Sequence, residues 1–326
     1  MTAFYIGDDN ITKYGQAAKK KRIKRRNVKI KLLSIFIFLI LIGTIIIGKC
    51  LTKEEEVKAE PVTIPTTTTT IINDVLQTNN EISKGSTKNH AVSEECKKYT
   101  YNAEKVSAIV NYKEKNDGQK IAFLTFDDGP STTVTPKILD VLKDYNVKAT
   151  FFLIGKNIVQ NEKSKGLVKR EFNEGHAIGN HTYSHKWNML FPNNKINVPT
   201  FMDDVKKNDN VLKTVLGQDF NTRILRVPGG YVSRIYYKDP NLPELDVILK
   251  EKNMISVDWN VEIRDAAGKP NKSSDELFTI LKKQVGTKSK VIILMHDTYG
   301  KIQTANALPQ IIEYLKYQGY EFRTIK

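Results

Sequence analysis

Residues 121–130 read IAFLTFDDGP, from Ile121 to Pro130. Ile121 to Phe126 is an apolar run of strand length, and the Gly-Pro after the two carboxylates is a turn signal. Outward from this stretch the same texture repeats. A helical pattern at 135–145 is followed by a β-rich run at 147–154, a helix at 162–174 and a short run at 176–180. Beyond these, helices at 205–216, 245–252 and 275–284 alternate with strands at 223–227, 254–261 and 291–295. A helix at 305–317 and a run at 320–325 close the chain. Repeated strand–helix alternation predicts an α/β fold with parallel strands and crossover helices. So many units in the last 207 or so residues suit an irregular (β/α) barrel better than a thin open sheet. In such barrels the reactive groups stand on loops at the C-terminal ends of strands.

That rule selects few residues. Asp127 and Asp128 follow the first strand, and His181 and His185 follow the run 176–180. Arg226 ends its strand, Asp265 follows the strand holding Trp259, and His296 caps 291–295. His181 and His185 form an HxxxH unit. Residues four apart share a face of a helical turn, so the two imidazoles are expected to converge on one ion. Two imidazoles, a carboxylate and an open position make a catalytic site of the zinc type, with Asp128 as the third ligand. An aspartate before Gly129-Pro130 would otherwise be a turn residue or helix cap. With Asp128 on a cation, Asp127 can stay ionised beside a water, as a general base must. His176 is read as structural, and His90 falls in a polar stretch.

Taken in order, TFDDGPS at 125–131, HTYSH at 181–185, RVPGG at 226–230 and LMH at 294–296 form a pattern, supported by KATFFLIG at 148–155 and GHAIGNHTYSH at 175–185. It resembles the NodB-homology polysaccharide deacetylases, a carbohydrate esterase family, over residues 119–326. The resemblance implies that Asp127 is the catalytic base and that Asp128, His181 and His185 bind the metal, usually Zn²⁺ with Co²⁺ or Ni²⁺ as alternatives. It makes His296 the acid that protonates the leaving amine and Arg226 the residue that orients the base. Leu294 would line the pocket for the acetyl methyl. A backbone N–H near Gly229 would help hold the oxyanion, a general need of tetrahedral intermediates. One motif departs. The family carries an Asp-Trp pair whose Asp tunes the acid histidine. Here Asp258-Trp259 lies within a predicted strand, whereas Asp265 lies past a strand end with Ala266 in place of Trp. Spacing favours Asp265 and leaves Asp258 as the alternative. Trp259 is then an aromatic wall or a structural ring, and Tyr231 a sugar contact or a plain surface aromatic.

The net charge of +15 would suit a nucleic-acid binder, but its distribution does not. Residues 1–31 carry a balance of +8, and the remaining 295 only +7. Leu32 to Gly48 then runs 17 residues without a charge, the short end of the ~17–25 that cross a bilayer. Basic residues stay cytoplasmic, so the tail is topogenic and no nucleic-acid partner is expected. The expected order is a cytoplasmic tail at 1–31, a single transmembrane anchor at 32–49 and an extracellular Thr-rich stalk at 50–118, with the catalytic domain at 119–326. A cleaved signal peptide is the rival reading, but the basic region is long for one and no A-x-A-like site follows. Cys50 and Cys96 show no metal-ligand spacing and are expected to be free or weakly structural. An outward-facing domain on a stalk meets peptidoglycan as its nearest N-acetylated polymer. Removal of N-acetyl groups from its N-acetylglucosamine is the expected reaction. The alternatives are O-deacetylation of a xylan-type glycan and a non-catalytic wall-binding module. The last predicts damaged catalytic positions, and none is damaged.

Overall fold

The computed structural model describes residues 92–326 apart from 112 and 114–116. The expected tail, anchor and most of the stalk lie outside these residues. Among the described residues no helix is long and apolar enough to cross a membrane.

In chain order the elements are β1 (Thr100–Tyr101), α1 (Ala103–Val110), β2 (Ile121–Gly129), α2 (Thr135–Asp144), β3 (Thr150–Leu153), α3 (Glu162–Asn173), β4 (Ala177–Asn180) and α4 (Val198–Leu216). There follow β5 (Ile224–Leu225), α5 (Tyr231–Tyr236), α6 (Leu242–Glu251), β6 (Ile255–Ser256), β7 (Val261–Glu262), α7 (Ser274–Val285), β8 (Lys290–His296), α8 (Ile302–Tyr317), β9 (Glu321–Phe322) and β10 (Thr324–Ile325). An eight-stranded sheet runs β6-β5-β4-β3-β2-β8-β7, with β9 also on β2. Its ladders are parallel.

Side chains alternate across a strand, and the two faces of β2 go to two different cores. Ala122, Leu124 and Phe126 pack outward with Ile138 and Leu142 of α2, Leu281 of α7 and Leu308 of α8. Ile121 and Phe123 point inward with Phe152, Ile224 and Ile292, and α1 joins them through Ala103 and Val106. Thr125 and Asp127 share this inward set. On β8, Val291, Ile293 and Met295 pack outward and Ile292 inward, so Leu294 and His296 also face the interior. The ladder then pairs Asp127 with His296 directly.

Three expectations change. The run 254–261 is not one strand. β6 pairs with β5 and β7 with β8, at opposite ends of the sheet. Residues 257–260 cross between them, and the Asn260 side chain bonds the Lys290 carbonyl and the Ile292 N–H of β8. No ladder joins β6 to β7 among the described residues, so the barrel is open on that side. The helix read as 205–216 begins at Val198, because the Asn197 side chain caps it by accepting from the Thr200 N–H and Pro199 sits in its first turn. The far end of the expected stalk is folded against the sheet. β1 pairs with β10, the α1 residues Ala103 and Val106 are fully buried, and Cys96 is free and buried. The polar, weakly patterned residues around this short amphipathic helix hid its buried face.

Candidate active site

Asp127 and His296 occupy facing rungs of β2 and β8, where the parallel strands end. The Asp127 Oδ1 accepts from Arg226 Nη1 at 2.8 Å. Arg226 is fully buried. Its Nη1 also donates to Thr125 Oγ1 at 2.8 Å, its Nε to the Val257 carbonyl at 2.8 Å and its Nη2 to the Asp258 carbonyl at 3.3 Å. Phe152 flanks the guanidinium, 4.2 Å from its ring centre. One cation thus ties β2, β5 and the crossing segment 257–260 together. A buried cation needs this many partners, and it fixes one oxygen of Asp127 in place.

The structure puts Asp265, not Asp258, against His296. Asp265 Oδ1 lies 2.8 Å from His296 Nδ1, and Oδ2 accepts from the His296 N–H and from Thr304 Oγ1, each at 2.8 Å. Burial alone would lower the His296 pKa. The Asp265 carboxylate outweighs it and lifts His296 from 6.5 to about 9. Asp258 has another task. Its oxygens accept from the N–H groups of Tyr231 and Val232 at 2.9 and 2.6 Å, at the start of α5. Tyr231, read as a sugar contact or a surface aromatic, lies outside the cavity walled by Asp127 and His296. Its hydroxyl donates to Asp246 Oδ1 at 2.6 Å, and it lines a separate cavity with Leu249 and Ile255.

Two consecutive residues cannot face the same way in a regular strand, yet Asp127 and Asp128 both reach the site. The register shifts between Asp127 and Gly129, and Asp128 has φ 70°. This bulge turns the Asp128 carboxylate back toward the interior. Its carbonyl accepts from Asn157 Nδ2 at 2.8 Å. His181 Nε2 and His185 Nε2 lie 3.3 and 3.4 Å from Asp128 Oδ1. The HxxxH unit is not a helical turn. Residues 181–186 form a bent loop, with Thr182 at φ 64° and His185 at φ 52°. Its shape comes from buried polar clamps. Asn180 Oδ1 accepts from the Thr182 N–H at 2.8 Å, and Asp204 Oδ2 accepts from the Ser184 N–H and Oγ at 2.8 and 2.9 Å. Asn208 Nδ2 donates to the Leu153 carbonyl at 2.7 Å and to Asn180 Oδ1 at 3.0 Å. Asp204 and Asn208 lie one turn apart on α4. Sequence reading passed over both, since polar residues at that spacing also make an ordinary solvated face.

The donor set fits a divalent cation. Asp128 Oδ1 is buried without a hydrogen-bond partner, and one atom each of Asp128, His181 and His185 lie within 4.8 Å of one another. His181 Nδ1 is 2.7 Å from the Arg226 carbonyl. A carbonyl can only accept, so the proton sits on Nδ1 and the Nε2 lone pair faces Asp128. Burial opposes ionisation of Asp128, but positive charge on His181 and His185, when these are protonated, outweighs it and holds its carboxyl well below the usual range, as a cation held in their place would. A cavity of about 320 Å³ lies over these groups, and its walls include Asp127, Gly229, Trp259, Asp265, Leu294 and His296. His176 is remote from it. It is buried, accepts from the Ala149 N–H through Nδ1, and burial drops its pKa to about 3, so it stays neutral.

Two further positions escaped sequence reading. Asp297 is fully buried beside Gly129, where a Cβ would clash with it, and burial raises its pKa to about 7. Thr135 Oγ1 donates to its Oδ2 at 2.5 Å. Trp187, just past HTYSH, stands on the cavity rim.

Residues 114–241 match the family model described as polysaccharide deacetylase. The chain is 39% identical over 206 residues to a peptidoglycan-N-acetylglucosamine deacetylase of Bacillus cereus, covering 62% of this chain and 66% of that protein, just under two thirds of its length. A second Bacillus cereus protein of the same name is 33% identical over 213 residues, 65% of this chain and 89% of that one. Among solved structures, a Streptococcus mutans CE4 esterase matches with a TM-score of 0.65 at 36% identity, covering 72% of this chain and 95% of that one.

Proposed function

Since the chain belongs to the polysaccharide deacetylase family, we propose that it hydrolyses N-acetyl groups on a cell-surface glycan, with peptidoglycan N-acetylglucosamine as the substrate. One observation carries this reading: Asp127 and His296 face each other across one rung of the sheet, beside an Asp128–His181–His185 donor set. The names of the two Bacillus cereus relatives support the substrate class.

Asp128, His181 and His185 would hold the cation, with Zn²⁺ expected and Co²⁺ or Ni²⁺ as alternatives. A bound divalent ion polarises the acetyl carbonyl and acidifies water. Asp127 takes the proton of the attacking water. It is suited to this because Arg226 holds one of its oxygens and leaves the other, Oδ2, toward His181 at 3.9 Å. His296, kept protonated by Asp265, delivers a proton to the amide nitrogen as the C–N bond breaks. Water thus adds across the amide, giving acetate and the free amine of the sugar. Leu294 offers an apolar wall to the acetyl methyl, and Gly229 and Trp259 bound the groove. The residues before Val92 would deliver the domain to the wall through a cytoplasmic tail, a single membrane span and a stalk shorter than the expected 50–118, since β1 and α1 belong to the domain. The 17 uncharged residues after ten basic ones support that placement.

Ester hydrolysis on an O-acetylated glycan is the second reading, favoured by the esterase name of the Streptococcus mutans structure. Full-length protein with Zn²⁺ should release acetate from peptidoglycan and leave glucosamine units detectable by mass spectrometry. Acetate release from acetylated xylan alone would replace the first reading with the second. No acetate from either would overturn both.

A further inference from the structure

Gly229 has φ 73°, and a Cβ built on it would lie 3.1 Å from Cζ3 of Trp187. The indole therefore occupies the space a side chain at 229 would take. Trp187 sits on a single helical turn, Trp187–Leu190, directly after the loop that carries His181 and His185. From behind it is held tightly. The guanidinium of Arg234 lies 4.7 Å from its ring centre, and Phe191 packs at 4.7 Å. Arg234 is itself fully buried, with Nη1 donating to the Asn194 carbonyl and Oδ1. The segment after His185 anchors this arrangement, since Leu190, Phe191 and Ile196 are buried in a core with Phe201 and Leu245. Yet Trp187 is 41% exposed, and it lines the cavity over Asp127 and His296.

A large aromatic ring fixed on one side and open on the other, at the lip of a polar catalytic cavity, suits one kind of occupant. A pyranose carries an apolar face of axial C–H groups and a polar rim, and it can lie flat on an indole. Because the ring is immobilised beforehand, little side-chain entropy is lost on binding. We propose that Trp187 is a sugar-stacking platform that sets affinity for the glycan chain beside the reacting unit. The proposal rests on the glycan-deacetylase reading. It places the aromatic wall at Trp187 and not at position 266, where alanine stands, and glycine at 229 makes room for the ring. Trp187 acts on binding and leaves the proton transfers to Asp127 and His296.

The test uses the full-length chain with Zn²⁺ and hexa-N-acetylchitohexaose, measuring acetate release against substrate concentration. Trp187→Ala should raise KM about tenfold, with kcat changed by less than about twofold. Trp187→Phe keeps a π face and should hold KM within about threefold of the starting protein. Trp187→Leu keeps apolar bulk over Arg234 without a π face and should resemble alanine. Leucine matching phenylalanine would reduce Trp187 to a packing residue and overturn the platform, as would an unmoved KM in all three. A fall in kcat at constant KM would equally overturn it, because the ring would then be positioning the histidine loop. If alanine at 187 does not fold, the Phe and Leu variants decide alone. An unsubstituted chain that releases no acetate from this oligomer or from peptidoglycan would instead fell the deacetylase reading beneath the proposal.

Discussion

The two halves of the site are positioned by different means. Asp127 and His296 are set by a ladder: inward alternation and strand register bring them opposite one another without special backbone. Asp128, His181 and His185 are set by irregularity: a bulge, two residues at positive φ and a polar clamp from α4. A ladder spreads its positional constraint over many backbone hydrogen bonds. A clamped loop concentrates it in a few side chains that never touch the chemistry. The proton-handling half should therefore be sensitive to its direct partners, and the metal-binding half to its remote ones.

The largest effect is expected from Asp265→Asn. It keeps the shape around His296 but removes the anion, and kcat should fall by about 10²- to 10⁴-fold. The pH dependence has a definite sign. His296 is raised from 6.5 to about 9, so the stability of this pair is complete below 6.5 and is lost as pH rises through about 9. Without Asp265 the strongest group opposing burial is gone and only Asp127 and Asp128 still favour the imidazolium, so the alkaline limb of kcat should move to lower pH. An unchanged limb would mean that Asp265 only packs against the histidine. Next comes Asp204→Ala, which leaves the Ser184 N–H and hydroxyl without their acceptor. Competition with a chelator should show Zn²⁺ affinity reduced by about 10- to 100-fold, and thermal unfolding a loss of about 1–3 kcal/mol. Affinity unaffected by this change would erase the contrast between the halves. The smallest effect is expected from Thr125→Val on the ladder side. Arg226 Nη1 loses one acceptor but keeps Asp127, so stability should drop by about 1 kcal/mol and kcat by less than about tenfold. A larger drop in kcat would show that the ladder also depends on side-chain support.

This division also explains what the sequence could say. Strand ends are marked by apolar runs that stop at polar residues, so Asp127, His181, Arg226 and His296 were legible as a set. The position of Asp265 past its strand was legible too, because loops at strand ends follow spacing. The conformation of HTYSH was not. Positive φ at Thr182 and His185 leaves no mark in residue type, and a helical turn with the same residues would serve the same end. Asp204 and Asn208 look like solvent-facing residues of any amphipathic helix until their partners in the loop are known. Tyr231 stayed open between a sugar contact and a surface aromatic because a residue opening a short helix can point to either side of it, and its acceptor, Asp246, is 15 positions on. The split of 254–261 was hidden for a related reason. An apolar run shows that residues are buried, but not which neighbour buries each one.

Arg226 links reaction and fold more closely than any other residue here. The same guanidinium that steadies Asp127 also holds the crossing segment through the Val257 and Asp258 carbonyls. Losing Asp127 would strand a buried charge, at a cost of about 3–5 kcal/mol. Descent therefore cannot discard the base alone without weakening the molecule. A lineage that abandoned hydrolysis while keeping the scaffold would be expected to change positions 127 and 226 together, so the two residues should be inherited as one character.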